Sequence, residues 1–327
     1  MSKSILGIDV SKDTLDVMLL RQDKMHHAVM ENNEAGFIKI HQWLRKHKAE
    51  EVHACLEATG QYSTPIAEYL FAKGHQVSVV NPLRIKAYGQ SRLIRNKTDK
   101  LDAYLIAEFC LSQKPPLWTP PEPDVREVQE LVRHLEDLQS MYQMERNRLK
   151  SGVRSRLVID NLKKHIAYLE MQIKEVKKSI QDHINQNNEL QRQQRLLETI
   201  PGIGKLTAAK LLGEIQNIRS FESAPQLAAY AGVTPRQRRS GVSVRGKSRF
   251  GKTGNANLRK ALYMPALVAK KHNPIISAFC LRLEKRGKKP IVIVGAAMRK
   301  LLHISFGVLK SGKPFDPNYL NNLQFAS

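Results

Sequence analysis

Apolar positions in the first 120 residues switch between two periods. Ile5-Leu6-Gly7-Ile8 and Leu15-Asp16-Val17-Met18-Leu19-Leu20 flank the polar stretch Ser11-Lys12-Asp13-Thr14, the pattern of two strands joined by a tight turn. A third strand is expected near His27 to Met30. Phe37, Ile40, Trp43 and Leu44 then recur at helical spacing between Gly36 and His47. The pattern next predicts a strand from Val52 to Leu56, a helix from Thr64 to Lys73, and a strand from Gln76 to Val80 that Asn81-Pro82 stops. A further helix runs from about Thr98 to Leu111, and the prolines at 115, 116, 120, 121 and 123 break the chain.

Three strands in a meander, followed by helix, strand, helix, strand and helix, predict a mixed α/β sheet of ribonuclease H-like layout. From residue 124 to about 187 the chain reads as helical and highly charged. Leu162, Ile166, Leu169, Ile173, Val176 and Ile180 alternate four- and three-residue steps, the period of a coiled-coil seam. Either a dimer contact or an intramolecular helical hairpin accounts for that seam, with Ser151-Gly152 as the break between its halves. Ile200-Pro201-Gly202-Ile203-Gly204-Lys205, between two apolar helical stretches, reads as a helix-hairpin-helix element. Gly202, Gly204 and Lys205 would meet a phosphate through turn N–H groups and a helix N-terminus. An ordinary helix–helix turn is the plainer reading, and even the sharper one positions nucleic acid without specifying its sequence. Three domains are therefore expected: residues 1–123 as the ribonuclease H-like α/β domain, 124–192 as the helical coiled-coil region, and 193–327 as a mainly α, basic domain.

Charge sharpens this division. The 327 residues carry a net +23, and residues 224–327 hold 20 Lys/Arg against two acids, Glu284 and Asp316. An excess of +18 in the last third suits a polyanion and predicts binding that weakens steeply with salt. A solvated basic face is the bland alternative. A membrane surface is a third, but no basic amphipathic helix with an aromatic face supports it. Cys55, Cys110 and Cys280 are scattered without metal-ligand spacing, as expected of reduced core residues. With no apolar signal core and no uninterrupted apolar run near about 18 residues, the expectation is a cytoplasmic, nucleoid-associated protein without a membrane partner.

Four acids stand out by position. Asp9 and Glu57 each end an apolar run, and Asp99 and Asp102 are three apart on an expected helix. Neighbouring strand ends lie about 4.8 Å apart, so side chains there can converge, and i, i+3 residues share a helix face. Carboxylates gathered this way repel unless neutralised, and a pair of Mg²⁺ ions, for which Mn²⁺ can substitute, would neutralise them while holding a phosphate. Singly, Asp9 could cap a turn and Asp99 could favour a helix N-terminus. Asp13 and Asp16 are expected to be solvated, and Glu108 is a weaker auxiliary ligand.

The second constellation is basic. Between Arg236 and Lys260 stand nine basic residues and no acid, among them Arg236, Arg238, Arg239, Arg245, Lys247 and Arg249. Gly241, Gly246, Gly251 and Gly254 predict a mobile loop that wraps phosphates. A serine there could act as a nucleophile only with a base or metal, and with cations to take up phosphorane charge. Ser240, beside Arg239 and near Arg245, fits that need.

Gly7-Ile8-Asp9-Val10-Ser11-Lys12, Glu57-Ala58-Thr59-Gly60, Asn96-Lys97-Thr98-Asp99-Lys100-Leu101-Asp102-Ala103, Ile200-Pro201-Gly202-Ile203-Gly204 and Ser240-Gly241-Val242-Ser243-Val244-Arg245-Gly246 follow in that order, and Ala261-Leu262-Tyr263-Met264-Pro265-Ala266 completes the set. Together they resemble the DEDD transposases, insertion-sequence recombinases that include pilin-gene invertases and bridge-RNA-guided members. The resemblance implies a RuvC-like N-terminal domain, Mg²⁺ at Asp9, Glu57, Asp99 and Asp102, and Ser240 as the nucleophile that joins a DNA 5′ phosphate, with Ser243 as the fallback. It also implies target and donor DNA, a structured guide RNA in guided members, and a homo-oligomer (dimer or tetramer) combining acids and serine from different subunits. The expected activity is Mg-dependent cutting and rejoining of DNA through a phosphoserine. Hydrolytic junction cleavage without a covalent intermediate is the alternative, and a purely architectural nucleic-acid binder would leave the acids unexplained.

Overall fold

The computed structural model describes residues 4–22, 24–92, 98–236, 239–240, 244–245, 249–250 and 253–318, with the backbone alone at 236, 239–240, 244–245 and 249. The chain divides into two compact units, Met1–Pro120 and Pro121–Ser327.

The first unit is built on a five-stranded sheet of β1 (Ser4–Val10), β2 (Thr14–Arg21), β3 (Lys24–Glu31), β4 (Val52–Glu57) and β5 (Gln76–Val80). Its order is β3-β2-β1-β4-β5. β1, β2 and β3 form the antiparallel meander, whereas β4 runs parallel to β1 and to β5. This is the mixed sheet that the order of apolar runs predicted. Helices α1 (Glu34–Lys46) and α2 (Thr64–Ala72) supply crossovers, and α3 (Pro82–Ser91) and α4 (Asp99–Gln113) follow β5. α3 was not expected, because Asn81-Pro82 reads equally well as a stop. Pro82 occupies the first helical position, where its missing N–H costs nothing, and the Asn81 side chain accepts from the Leu83 N–H at 2.9 Å.

Two cores flank the sheet. Leu6, Ile8, Val10, Leu15, Val17, Leu19, Ala54 and Leu56 pack with Phe37, Ile40 and Leu44 of α1 and Ile66 and Leu70 of α2. On the opposite face Ile5, Met18, Cys55 and Val80 pack with Ala103, Ile106, Ala107, Phe109 and Cys110 of α4. Strand alternation sorts the side chains this way, and α4 is apolar enough to complete the second layer. All three cysteines are buried free thiols.

In the second unit, α5 (Pro123–Lys150) and α6 (Arg156–Gln186) form an antiparallel hairpin around Ser151-Gly152. Gly152 takes φ +85°, a left-handed conformation that suits glycine. Leu162, Leu169 and Ile180 are buried, and Ile166, Ile173 and Val176 half-buried. Tyr142 Oη donates to Glu170 Oε1 across the pair at 2.7 Å. Of the two readings of the seam, its apolar positions serve the intramolecular hairpin in this chain. α7 (Asn188–Glu198), α8 (Lys205–Ile215), α9 (Ala224–Tyr230), α10 (Ala256–His272), α11 (Pro274–Lys285) and α12 (Pro290–Ser311) complete the unit. Val132 and Leu135 of α5, Ile180 and Ile184 of α6, and Leu301 and Leu302 of α12 belong to one continuous core. α12 is the one helix among the described residues long and apolar enough to cross a bilayer, and 44% of its most apolar stretch is buried within the protein.

Residues 235–250 contain two short antiparallel ladders. β6 (Pro235–Arg236) pairs with β9 (Arg249–Phe250), and β7 (Arg239–Ser240) with β8 (Val244–Arg245). Gly241, Gly246 and Gly251 of the expected mobile loop lie outside the described residues. Ladder pairing gives the backbone groups of these eight residues partners within the sheet.

Candidate functional site

Strand parity decides which acids can meet. Leu6, Ile8 and Val10 face one core, so Ile5, Gly7 and Asp9 face the α4 side. Cys55 faces α4 from β4, and Glu57, two residues on, shares its side. The register of β1 on β4 pairs Ile8 with Leu56, which sets Asp9 and Glu57 at adjacent strand ends.

α4 brings the remaining acids. Its N-terminus is capped by Thr98, whose hydroxyl accepts from the Leu101 N–H at 3.2 Å. Asp99 and Asp102 occupy the first turn, where the positive end of the helix favours carboxylates. The helix lies directly on β1 because position 7 is glycine. A Cβ there would stand 2.2 Å from the Ala103 carbonyl oxygen, 2.5 Å from the Ala107 nitrogen and 2.7 Å from the Ala107 Cβ. Asp9, Asp99 and Asp102 thereby bring carboxylate oxygens within 4.8 Å of one another. Glu57, half-buried on the neighbouring strand, is not part of that trio.

The electrostatics follow from the crowding. Burial, then Asp102, Asp99 and Asp16, raise the Asp9 carboxyl to about 6, against the opposing hydrogen bond from the Val10 backbone. A cluster of hard oxygen donors that disfavours its own ionisation suits a hard divalent cation.

Two expectations about nearby acids need revision. Asp16 is 9% exposed rather than solvated, and its Oδ1 lies 2.8 Å from His27 Nε2. It is the cross-strand partner of Asp9, and partners in an antiparallel pair face the same side. Asp13, by contrast, is exposed. Glu108, two turns beyond Asp102, is ion-paired with Arg92 and stands outside the trio.

In the second unit, residues 199–204 join α7 to α8, and the two glycines of this turn differ in role. Gly202 has φ +107°, and a Cβ on it would lie 2.8 Å from the Ala269 Cβ of α10, so the turn needs glycine for packing. Gly204 has open space around its Cα, and Gly204 and Lys205 are exposed. Ser240 and Arg239 lie in β7, Arg245 in β8, Arg236 in β6 and Arg249 in β9. Arg238, Ser243 and Lys247 fall outside the described residues.

A buried network not anticipated from the sequence closes the base of this segment. Glu214 of α8 is 2% exposed. It accepts from Arg133 Nε at 2.8 Å, Arg133 Nη2 at 3.0 Å, Asn255 Nδ2 at 2.8 Å and Asn257 Nδ2 at 3.3 Å. Asn255 also donates its backbone N–H to the Tyr230 carbonyl at 2.6 Å. A lone Glu in an apolar helix gives little warning of this role, because its partners are 41 and 81 residues away.

Residues 6–155 match the transposase profile of IS110-type DEDD enzymes, and residues 194–281 match the profile described as "Transposase IS116/IS110/IS902 family". The pilin gene-inverting proteins of Moraxella lacunata and Moraxella bovis are each 37% identical over 97% of this chain and 98% of their own length. The chain belongs to the IS116/IS110/IS902 transposase family. As such it is an enzyme of DNA strand cleavage and transfer. The transposase is also 27% identical, over 62% of its length, to 66% of the transposase for insertion sequence element IS1328 of Yersinia enterocolitica. Among solved structures, T. thermophilus RuvC in complex with a Holliday junction substrate overlaps 34% of this transposase and 95% of itself, at 14% identity and TM-score 0.26.

Proposed function

We propose that this transposase cuts and rejoins the DNA of an insertion element through a covalent bond to Ser240. The observation that carries the reading is the gathering of Asp9, Asp99 and Asp102 within 4.8 Å, in a family that acts on DNA. These three carboxylates would hold Mg²⁺, two ions with Glu57 contributing from the adjacent strand end. The bound metal would neutralise the acids and polarise the oxygens of the scissile phosphate.

The chain's own residues then divide the remaining work. Ser240 Oγ attacks the phosphorus, the Oγ–P bond forms on the 5′ side, and the P–O3′ bond breaks. The serine gives up its proton as the departing 3′ oxygen takes one up, so charge balances. Arg239 and Arg245, next to and paired with the serine-bearing strand, take up charge on the phosphorane. Attack of a new 3′ hydroxyl on the phosphoserine reverses the sequence and rejoins DNA without external energy. Gly204 and Lys205 at the α8 N-terminus, with Arg236, Arg238, Lys247 and Arg249, grip backbone phosphates. The resemblance drawn from the sequence motifs extends the reading to a structured RNA from the element's non-coding ends and to assembly as an oligomer.

The test uses the full chain, Mg²⁺ and supercoiled DNA carrying the gene with its flanking non-coding sequence. A protein–DNA adduct that survives denaturation, and is absent in Ser240→Ala, is the expected outcome. Strand cleavage undiminished in Ser240→Ala would overturn the reading in favour of hydrolysis.

A further inference from the structure

A cavity of about 660 Å³ opens in the second unit at the foot of the serine-bearing segment. One wall is apolar: Phe250 of β9, Phe279 of α11, and Ile291 and Val292 of α12. Water reaches this wall, since Phe250 is 37%, Ile291 66% and Val292 48% exposed. The Phe250 ring is seated on α12, where a Cβ on Gly295 would come within 2.6 Å of its Cζ.

The charged part of the lining is cationic. Lys288, Arg299, Lys300 and His303 border the cavity, and no acid does so among the described residues. Arg299 Nε and His303 Nε2 are buried without a hydrogen-bond partner among the described residues. Such groups ordinarily find one. Burial, with Arg299 and Lys300 nearby, holds the His303 pKa below its usual value, so at neutral pH its imidazole can donate or accept. The first turn of α12 borders the cavity through Ile291 and Val292, and its N-cap Lys289 makes no side-chain cap hydrogen bond. Its positive end adds to the cationic rim.

An aromatic wall, orphaned polar groups and a cationic rim together suit a flat aromatic ring attached to an anion. Double-stranded DNA offers the anion, but its stacked bases cannot enter a concavity. An acidic peptide has the charge, but its flat faces, where it has them, are not joined to the anion in one unit as a base is to its phosphate.

We infer that this cavity binds one unpaired nucleotide of the nucleic acid that the transposase handles. The base stacks on the Phe250–Ile291 wall and its phosphate meets Lys288 and Lys300. The inference rests on the nucleic-acid reading above but is independent of Ser240 chemistry.

The experiment measures binding by the full chain in metal-free buffer, where no strand is cut. The probes are a single-stranded DNA 12-mer with a central 2-aminopurine, its RNA counterpart, and the blunt duplex of the same length. Wild type should quench 2-aminopurine fluorescence in one or both single strands. Ile291→Glu, a change at an exposed position, should abolish the quench and weaken that binding about tenfold, the loss of one stacked base. Arg299→Gln should weaken it similarly, and the duplex should be affected less than twofold in both variants. Effects on both single strands, or on RNA or DNA alone, support the cavity and name its source strand. An equal loss on duplex would overturn it in favour of general basic attraction. Unchanged single-strand binding, or a change in sedimentation mass instead of binding, would overturn it too, the latter pointing to a second copy of the chain. Failure here leaves the Ser240 adduct test untouched.

Discussion

Gly7→Ala is the sharpest test of how the acidic centre is assembled. The new Cβ would sit 2.2 Å from the Ala103 oxygen, where ordinary contact begins at 3.4 Å. The gap between β1 and α4 must therefore open by at least 1.2 Å, the difference of those two distances. Two of the three opposing atoms belong to the helix backbone, so no rotamer change relieves them. Overpacking of this kind costs about 1–3 kcal/mol, offset by roughly 0.4–1 kcal/mol from the stiffer unfolded chain. A net loss of about 1.3 kcal/mol lowers the melting temperature of a unit this size by roughly 5–8 °C. Both tryptophans, Trp43 and Trp118, lie in the first unit, so their fluorescence follows its unfolding within the full chain. Because Asp99 and Asp102 ride on α4, Mg²⁺ affinity measured by calorimetry should fall about tenfold or more. Adding Ala107→Gly removes the 2.7 Å contact but leaves those at 2.2 and 2.5 Å, so it should not restore either property. A Gly7→Ala chain that melts and binds Mg²⁺ like wild type would refute the close-approach argument, as would full rescue by Ala107→Gly.

Three other outcomes follow. The folded Asp9 carboxyl titrates near 6 against 3.8 in its unpaired state, so the folded form holds this proton more tightly. Stability of the metal-free protein should be highest below about pH 4 for this group and decline as pH rises through 6, by roughly 1–2 kcal/mol after allowing for solvent screening. Asp9→Asn should flatten that dependence and abolish Mg²⁺-dependent cleavage, as denaturant titrations across pH and a nicking assay would show. Burial alone would raise Glu214, but hydrogen bonds from Arg133 and Asn255 hold it below the usual carboxylate range. Its contribution is present at neutral pH and lost as pH falls through that lowered value. Glu214→Gln should cost about 2 kcal/mol in urea unfolding, discounted because Arg133 is half exposed; no loss would show that the network is idle. Replacing Arg238 and Arg239 with Gln should weaken DNA binding regardless of sequence and reduce the slope of log K against log salt by up to about 1.8. A loss confined to particular sequences would instead indicate base readout.

Much of the fold was legible because local rules govern it. Alternation in β1 and β2, helical spacing in α1 and the Ser151-Gly152 break all report nearest neighbours in the chain. Where two local rules compete, sequence alone misleads: Asn81-Pro82 ends β5 and also starts α3. The α6 seam shows a different ambiguity, since a heptad states that a partner exists without saying that it is α5 of the same chain. Asp16 looked like a turn residue, and only its pairing with Asp9 shows it buried within the acidic face.

By itself the sequence determined the order of the five sheet strands with α1, α2 and α4, the separation of acids at the front from cations at the rear, and the family motifs in register. Which carboxylates share 4.8 Å, and which glutamate anchors the serine-bearing segment, only the tertiary structure decided. Side-chain period is local, whereas strand register and the approach of a helix to a sheet are set by packing between residues up to about a hundred positions apart. A missing Cβ at Gly7 carries no chemistry of its own, yet it fixes how closely Asp99 and Asp102 come to Asp9.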